Sequence, residues 1–89
     1  MKLKDGFVLE QVGSSYLAVA VGERAESVNA LIRLNGSGAF LWRLIAERDM
    51  TEDELLSKML EEYDVTAEIA SADIKKFLKQ LHDGGLLDD

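Results

Sequence analysis

The chain has 89 residues, of which 47% are hydrophobic, and it carries a net charge of −7 with no cysteine. This length predicts one small domain, residues 1–89, built on one core, and the absence of cysteine excludes disulfides and thiolate metal sites. The sequence contains no apolar run of about 20 residues and no signal-peptide pattern at its start, so we expect a cytoplasmic domain.

The acidic residues are concentrated in one part of the sequence. Residues 51–68 contain seven acids and one lysine, whereas residues 69–83 contain three lysines and two acids. The phosphate backbone of a nucleic acid would meet net repulsion from this charge, so nucleic acid is not expected as a partner.

Three segments near the start are typical of β-strands. Phe7–Val12 and Tyr16–Val21 are joined by a short turn that contains Gly13, which predicts a hairpin. Gly22–Asn29 is polar and aperiodic, and we predict a loop there. The residues of 30–34 alternate between two faces, as in a half-buried strand. Short connections predict an antiparallel meander with the second strand in the centre and the third at an edge.

Three helices are predicted after the third strand, at about 36–47, 52–62 and 67–83. Asn35, Thr51 and Thr66 each stand where a side-chain oxygen can cap a helix start, and Thr51 with Glu54 fits a capping box. The backbone freedom of Gly36 and Gly38 is expected to let the first helix pack closely on the third strand. The order β-β-β-α-α-α defines an α+β fold.

The sequence offers little support for catalysis. His82 stands alone near a helix end, where an imidazole is simply compatible with the helix dipole. Gly36-Ser37-Gly38 has only a superficial likeness to a dinucleotide-binding loop, since Leu41 stands where the third glycine would be. We therefore predict a protein that is not an enzyme, with no catalytic residues, cofactor or metal.

Two features favour a binding module. The third strand is a candidate open edge, whose backbone groups can pair with another strand. The third predicted helix has an apolar stripe flanked by lysines. The candidate residues on this helix are Ile74, Lys75, Leu78, Lys79 and Leu81. A second interpretation stays open, in which the apolar residues belong to the core and the lysines form a solvated face.

An ordered set of motifs resembles the PqqD-like family. Residues Leu34–Trp42 resemble its Leu-Asn-x-Ser/Thr-Gly-x-x-x-Trp core, and Thr51–Leu55 and Tyr63–Val65 follow at the expected spacing. Residues 73–87 resemble its closing helix, Asp-Val-x-x-Phe-Leu-x-x-Leu, and the Gly-Leu-Leu after it. The resemblance covers nearly the whole chain. Residues 46–49 depart from the pattern, because relatives often have an Asp-Gly turn there.

This resemblance implies a winged-helix-like fold and a function in natural product biosynthesis. PqqD-like proteins are RiPP recognition elements, in which the leader of a ribosomally made precursor peptide adds as a strand to the third strand. The leader lies beside the third helix and is presented to a maturase, often a radical SAM enzyme. Carried onto this chain, the peptide-binding residues are the helix candidates named above together with Leu31, Ile32, Arg33 and Leu34. An Ile32→Pro change is expected to remove an edge donor.

Two other classes of function are compatible with the same topology. A winged-helix transcriptional regulator would need a basic recognition helix that reads base edges, and three lysines beside an acidic helix are a weak substitute. A protein–protein adaptor would use the same groove for a folded partner or for its own copy, so a homodimer is also considered. Binding to duplex DNA and the mass in solution distinguish these alternatives.

Overall fold

The computed structural model describes residues 1–27 and 31–88, except for the side chains of Ser27 and Leu31. The elements in chain order are β1 (Phe7–Val12), β2 (Ser15–Ala20), α1 (Arg24–Ser27), β3 (Leu31–Leu34), α2 (Gly36–Glu47), α3 (Glu52–Glu62) and α4 (Ala67–Asp83). A three-stranded antiparallel sheet followed by helices confirms the predicted α+β fold. The three long helices predicted from the sequence correspond to α2, α3 and α4.

The sheet has the order β1-β2-β3, which confirms that the second strand is central and the third is at an edge. Val12 pairs with Ser15 across a two-residue turn, in which Gly13 has a φ of 62°. This left-handed conformation favours glycine and closes the hairpin tightly. The second strand therefore begins at Ser15, one residue before the start at Tyr16 that the sequence predicts.

The predicted loop at Gly22–Asn29 contains a one-turn helix, α1, and this part of the prediction was wrong. The amides of Ala25 and Glu26 donate to the carbonyls of Gly22 and Glu23. Four residues are too few to show a helical period in the sequence, so the pattern could not reveal this turn. Val28, Asn29 and Ala30, which the sequence assigned to the loop and to the start of the third strand, lie outside the described residues.

The cap residues begin the long helices as their sequence positions predicted. Asn35 Oδ1 accepts the Gly38 amide at 2.8 Å, and Thr66 Oγ1 accepts the Ile69 amide at 3.2 Å. Thr51 and Glu54 form the complete capping box, with both hydrogen bonds at 3.1 Å. These contacts satisfy amides that would otherwise lack a partner in the first turn.

The core lies between the inner face of the sheet and the helices α2, α3 and α4. Its largest fully buried side chains are Leu41, Ile45, Met50, Leu55, Met59, Ile74, Leu81 and Leu86. The chain ends pair beside this core, where Lys4 donates its amide to Leu86 O at 2.9 Å and Asp88 donates to Lys2 O at 2.8 Å. This pairing holds Leu86 against the helices.

Candidate functional site

The open edge of β3 presents the backbone groups of Arg33. Val21, directly after β2, donates its amide to Gly6 O, directly before β1, at 2.8 Å. The odd-numbered residues of β2 therefore point their backbone groups toward β1. Backbone direction alternates along a strand in an antiparallel sheet. The groups that β2 directs toward β3 therefore belong to Tyr16 and Ala18, whose partners are Leu34 and Ile32. The amide and carbonyl of Arg33 consequently face away from the sheet.

Because backbone direction alternates along β3, a proline at Ile32 does not test the open edge. The sequence-based expectation was that Ile32→Pro removes a donor from the open edge. The Ile32 amide faces β2, so proline there would break the sheet itself. The position at which proline removes an edge donor is Arg33.

A groove of about 360 Å³ lies between the end of β3 and α4. Helix α4 contributes one stripe to it, with the spacing i, i+3, i+4, i+7 of a single helix face. This stripe consists of Asp73, Lys76, Phe77 and Gln80. Leu34 and Leu41 line the groove beside them, and Ser14, Ser15 and Asn35 line the end nearest the hairpin turn. The groove is thus apolar in part and bordered by polar and charged groups.

The two sides of the groove run in opposite directions. A β-carbon added to Gly84, after the end of α4, would lie 3.0 Å from Ile32 Cδ1. Leu34, two residues further along β3, borders the groove with Phe77, which is earlier on α4. The start of β3 therefore lies near the end of α4, and a strand that pairs antiparallel with β3 would run parallel to the helix.

Three of the helix residues predicted to bind peptide are in the core. Ile74, Leu78 and Leu81 are 2%, 9% and 0% exposed. Their side chains pack with the other helices, and none of the three lines the groove. These three residues agree with the second interpretation of the sequence, in which the apolar residues of this helix belong to the core.

The lysines predicted with them, Lys75 and Lys79, are exposed but do not line the groove. Lys79 Nζ lies 3.9 Å from a carboxylate oxygen of Asp83 on the same helix. The stripe that does border the groove, from Asp73 to Gln80, is on the other flank of α4. The sequence-based prediction selected the flank with Lys75 and Lys79 instead. The sequence contains one signal for the flank that borders the groove. The spacing of Lys76 and Gln80 continues to Gly84, where the absence of a side chain permits close packing.

The predicted residues of β3 occupy different positions. Leu34 is buried at the groove, 4% exposed, and Ile32 packs against the core from the same face of the sheet. Arg33 is exposed and borders the groove. The backbone of Leu31 belongs to β3, and its side chain is outside the described part of the chain.

Three charged residues border the groove. Arg33 and Lys76 line it, whereas its acidic lining residue is Asp73. Within residues 1–27 and 31–88, neither cation has a carboxylate within 4.0 Å. Lys76 can therefore meet a carboxylate of a ligand in the groove without first breaking an ion pair with another described residue, whereas strand alternation directs the Arg33 side chain to the outer face of the sheet. An extended segment with apolar and acidic side chains would match this lining.

The described residues include no group of three or more histidine, aspartate or glutamate side chains arranged to hold a metal ion. None of the helices in this part of the chain is long and apolar enough to cross a membrane.

Comparisons with known proteins agree with this architecture. The family model described as coenzyme PQQ synthesis protein D (PqqD) matches residues 8–87. The solved structure of TbiB1 in complex with the TbiA(beta) leader peptide is similar, with a TM-score of 0.73 and 22% sequence identity. The match covers 99% of this chain and 95% of that chain, and at this identity it establishes a shared fold. None of the curated proteins compared with the chain matches it significantly.

Proposed function

The chain belongs to the PqqD family, and we propose that it binds the leader segment of a ribosomally made precursor peptide. The leader pairs antiparallel with β3 as a fourth strand, lies along α4, and is presented to a modifying enzyme. The chain itself acts as a cytoplasmic recognition element without catalysis. The observation that carries this proposal is the open backbone edge of Arg33 directly beside the groove.

The proposed binding residues come from two elements. On β3 they are Leu31, Ile32, Arg33 and Leu34, which supply the edge and one wall. On α4 they are Asp73, Lys76, Phe77 and Gln80, which replace the helix residues expected from the sequence. We make this replacement because these four residues border the groove, whereas the helix residues expected from the sequence do not.

In strand addition, backbone hydrogen bonds supply affinity and side-chain contacts supply specificity. Backbone pairing with β3 depends little on the peptide's sequence, and alternate side chains of the added strand point toward the groove. An apolar side chain at one such position would contact Leu34 and Phe77. An acidic side chain nearby in the groove would meet Lys76, whereas Arg33, on the opposite face of β3, would meet a side chain of the added strand that points away from the groove. The combination selects an extended, partly acidic leader.

An NMR titration tests the proposal with the leader of the precursor peptide encoded beside this chain. We expect saturable amide shifts at Arg33, Leu34 and along residues 73–80. Arg33→Pro should abolish them because it removes the edge donor. Arg33→Ala is the matched control, since it removes the side chain but keeps the amide.

Two results would overturn strand addition. One is the absence of shifts with this leader, which would favour the adaptor interpretation. The other is equal binding by the Arg33→Pro and Arg33→Ala variants, which would mean that the edge amide is not used.

The modifying enzyme completes the proposed role, and in this family it is often a radical SAM enzyme. Addition of the chain should accelerate modification of the precursor by the enzyme encoded beside it. Acceleration that persists with the Arg33→Pro variant would contradict presentation through the β3 edge.

A further inference from the structure

The outer face of the sheet is mostly apolar and lies on the side away from the core that α2, α3 and α4 form. Every second side chain along β1, β2 and β3 points to this face. Its described members are Val8, Glu10, Val12, Ser15, Leu17, Val19 and Arg33, with Val21 continuing the row after β2. Val8, Val12 and Val21 are 38%, 56% and 41% exposed, and none of the valines on this face packs with the core.

Two opposite charges stand in one row across this face. Glu10 pairs in register with Leu17, and Leu17 pairs in register with Arg33. Glu10 therefore lies on one edge strand and Arg33 on the other, with Leu17 between them. Two strand spacings, about 10 Å, separate the two charged residues within one sheet. Both are exposed, and neither has an ion-pair partner among the described residues.

We propose that a second copy of this chain packs face to face on the outer sheet face, about a two-fold axis along β2. Rotation about that axis exchanges the two edges of the sheet. Glu10 of each copy then faces Arg33 of the other, and Leu17 faces its own counterpart at the centre. The interface is self-complementary, as a two-fold contact requires, with one ion pair on each side of an apolar centre.

The charges also decide between the two ways in which the sheets can stack. An axis perpendicular to the strands would bring Glu10 against Glu10 and Arg33 against Arg33. Like charges placed opposite each other disfavour that arrangement. Sheets that pack face to face keep their strands within about 30° of each other, which is compatible with the axis along β2.

The size of the face predicts a weak dimer. Three strands of up to six residues cover roughly 300 Å² on one face, whereas a stable interface buries about 800 Å² on each partner. The dimer should therefore form reversibly and depend on concentration. The open edge of β3 lies in the plane of the sheet and is not covered by this contact, so the inference does not require the proposed leader binding.

Sedimentation equilibrium over a range of chain concentrations up to about 1 mM tests the proposal. The native chain should shift from monomer toward dimer as concentration rises. E10R and R33E should each raise the dissociation constant about tenfold, because each variant sets like charges opposite each other. The double variant E10R/R33E should restore the native value.

Mixing the two single variants provides a control that a folding defect cannot imitate. In a mixed dimer, the E10R position of one chain faces the R33E position of the other, so opposite charges meet there. The unchanged Arg33 of the first chain likewise faces the unchanged Glu10 of the second. We therefore expect the mixture to associate as the native chain does, although each variant alone does not.

Leu17→Gln should weaken association in every combination, because it puts a polar group at the apolar centre of the contact. A native chain that stays monomeric throughout, or charge reversals without effect, would overturn the proposal.

Discussion

A β-carbon added to Gly38 would lie 3.2 Å from the β-carbon of Leu34, so the first turn of α2 and the end of β3 pack more tightly than most side chains allow. Neither Gly36 nor Gly38 has a positive φ. The sequence suggested that both glycines supply unusual backbone angles at this corner. In the structure Gly38 supplies space instead, and that space seats Leu34 at the groove.

The two glycines of the corner should respond differently to alanine. Gly36 has no neighbour within 4 Å of an added β-carbon, so Gly36→Ala should stabilise the chain by up to about 1 kcal/mol. Gly38→Ala gains the same helical preference but crowds Leu34 and the cap oxygen of Asn35. We expect it to be about 1–3 kcal/mol less stable than Gly36→Ala. Urea unfolding measures both, and equal stabilities would contradict the contact.

The cap of α2 should contribute measurably to stability. Asn35 Oδ1 accepts the amide of Gly38 at 2.8 Å and the hydroxyl of Ser37 at 3.0 Å. Asn35→Ala should lower the free energy of unfolding by about 1 kcal/mol, because the amide loses its acceptor. Asn35→Asp keeps an oxygen at this place and should retain most of the stability. If both variants lost the same amount in urea unfolding, the capping oxygen would not be the cause.

Charge reversal at each of two neighbouring lysines should show which flank of α4 binds the leader. Lys76 lines the groove, whereas Lys75 is exposed elsewhere on the helix. Lys76→Glu should weaken leader binding about five- to tenfold by repelling an acidic side chain of the peptide. Lys75→Glu makes the same change of charge away from the groove and should leave the dissociation constant nearly unchanged. Isothermal titration calorimetry with the leader measures both dissociation constants. A larger effect of Lys75→Glu than of Lys76→Glu would place the binding site on the other flank.

The capping box of α3 should make stability depend on pH. The amide of Thr51 donates to Glu54, and this bond, together with the nearby Arg48, holds the pKa of Glu54 below its ordinary value of 4.5. A carboxyl whose pKa is lowered by folding stabilises the chain above its unfolded pKa. That contribution is lost as the pH falls through the folded pKa.

Glu54→Gln tests this dependence, since glutamine can occupy the same place without a charge. The native chain should be more stable than the variant at about pH 7, and the two should become nearly equal at about pH 3. Urea midpoints at the two pH values give the comparison. A difference between native and variant that does not change with pH would assign the effect to shape rather than charge.

Local signals in the sequence were sufficient for most of the elements. Thr51, Thr66 and Asn35 begin their helices because a cap is a contact within three residues, and neighbours in sequence cannot avoid meeting. The hairpin and the edge position of β3 follow from short connections, which leave few arrangements for three strands. The ordered motifs from Leu34 to Leu87 were sufficient to identify the family for the same reason, since they record the elements in order.

Tertiary packing alone decided which surfaces remain free. The sequence of α4 has polar residues on both flanks of its apolar stripe, so it does not specify how the helix is rotated against β3. Contacts of Ile74 and Leu81 with the other helices set that rotation and turn Lys76 toward the groove. Likewise β2 is apolar on both faces, and only the packing of the helices leaves Leu17 and Val19 on the outside. A side-chain pattern specifies which residues share a face, but the free energy of packing whole elements together determines which face is buried.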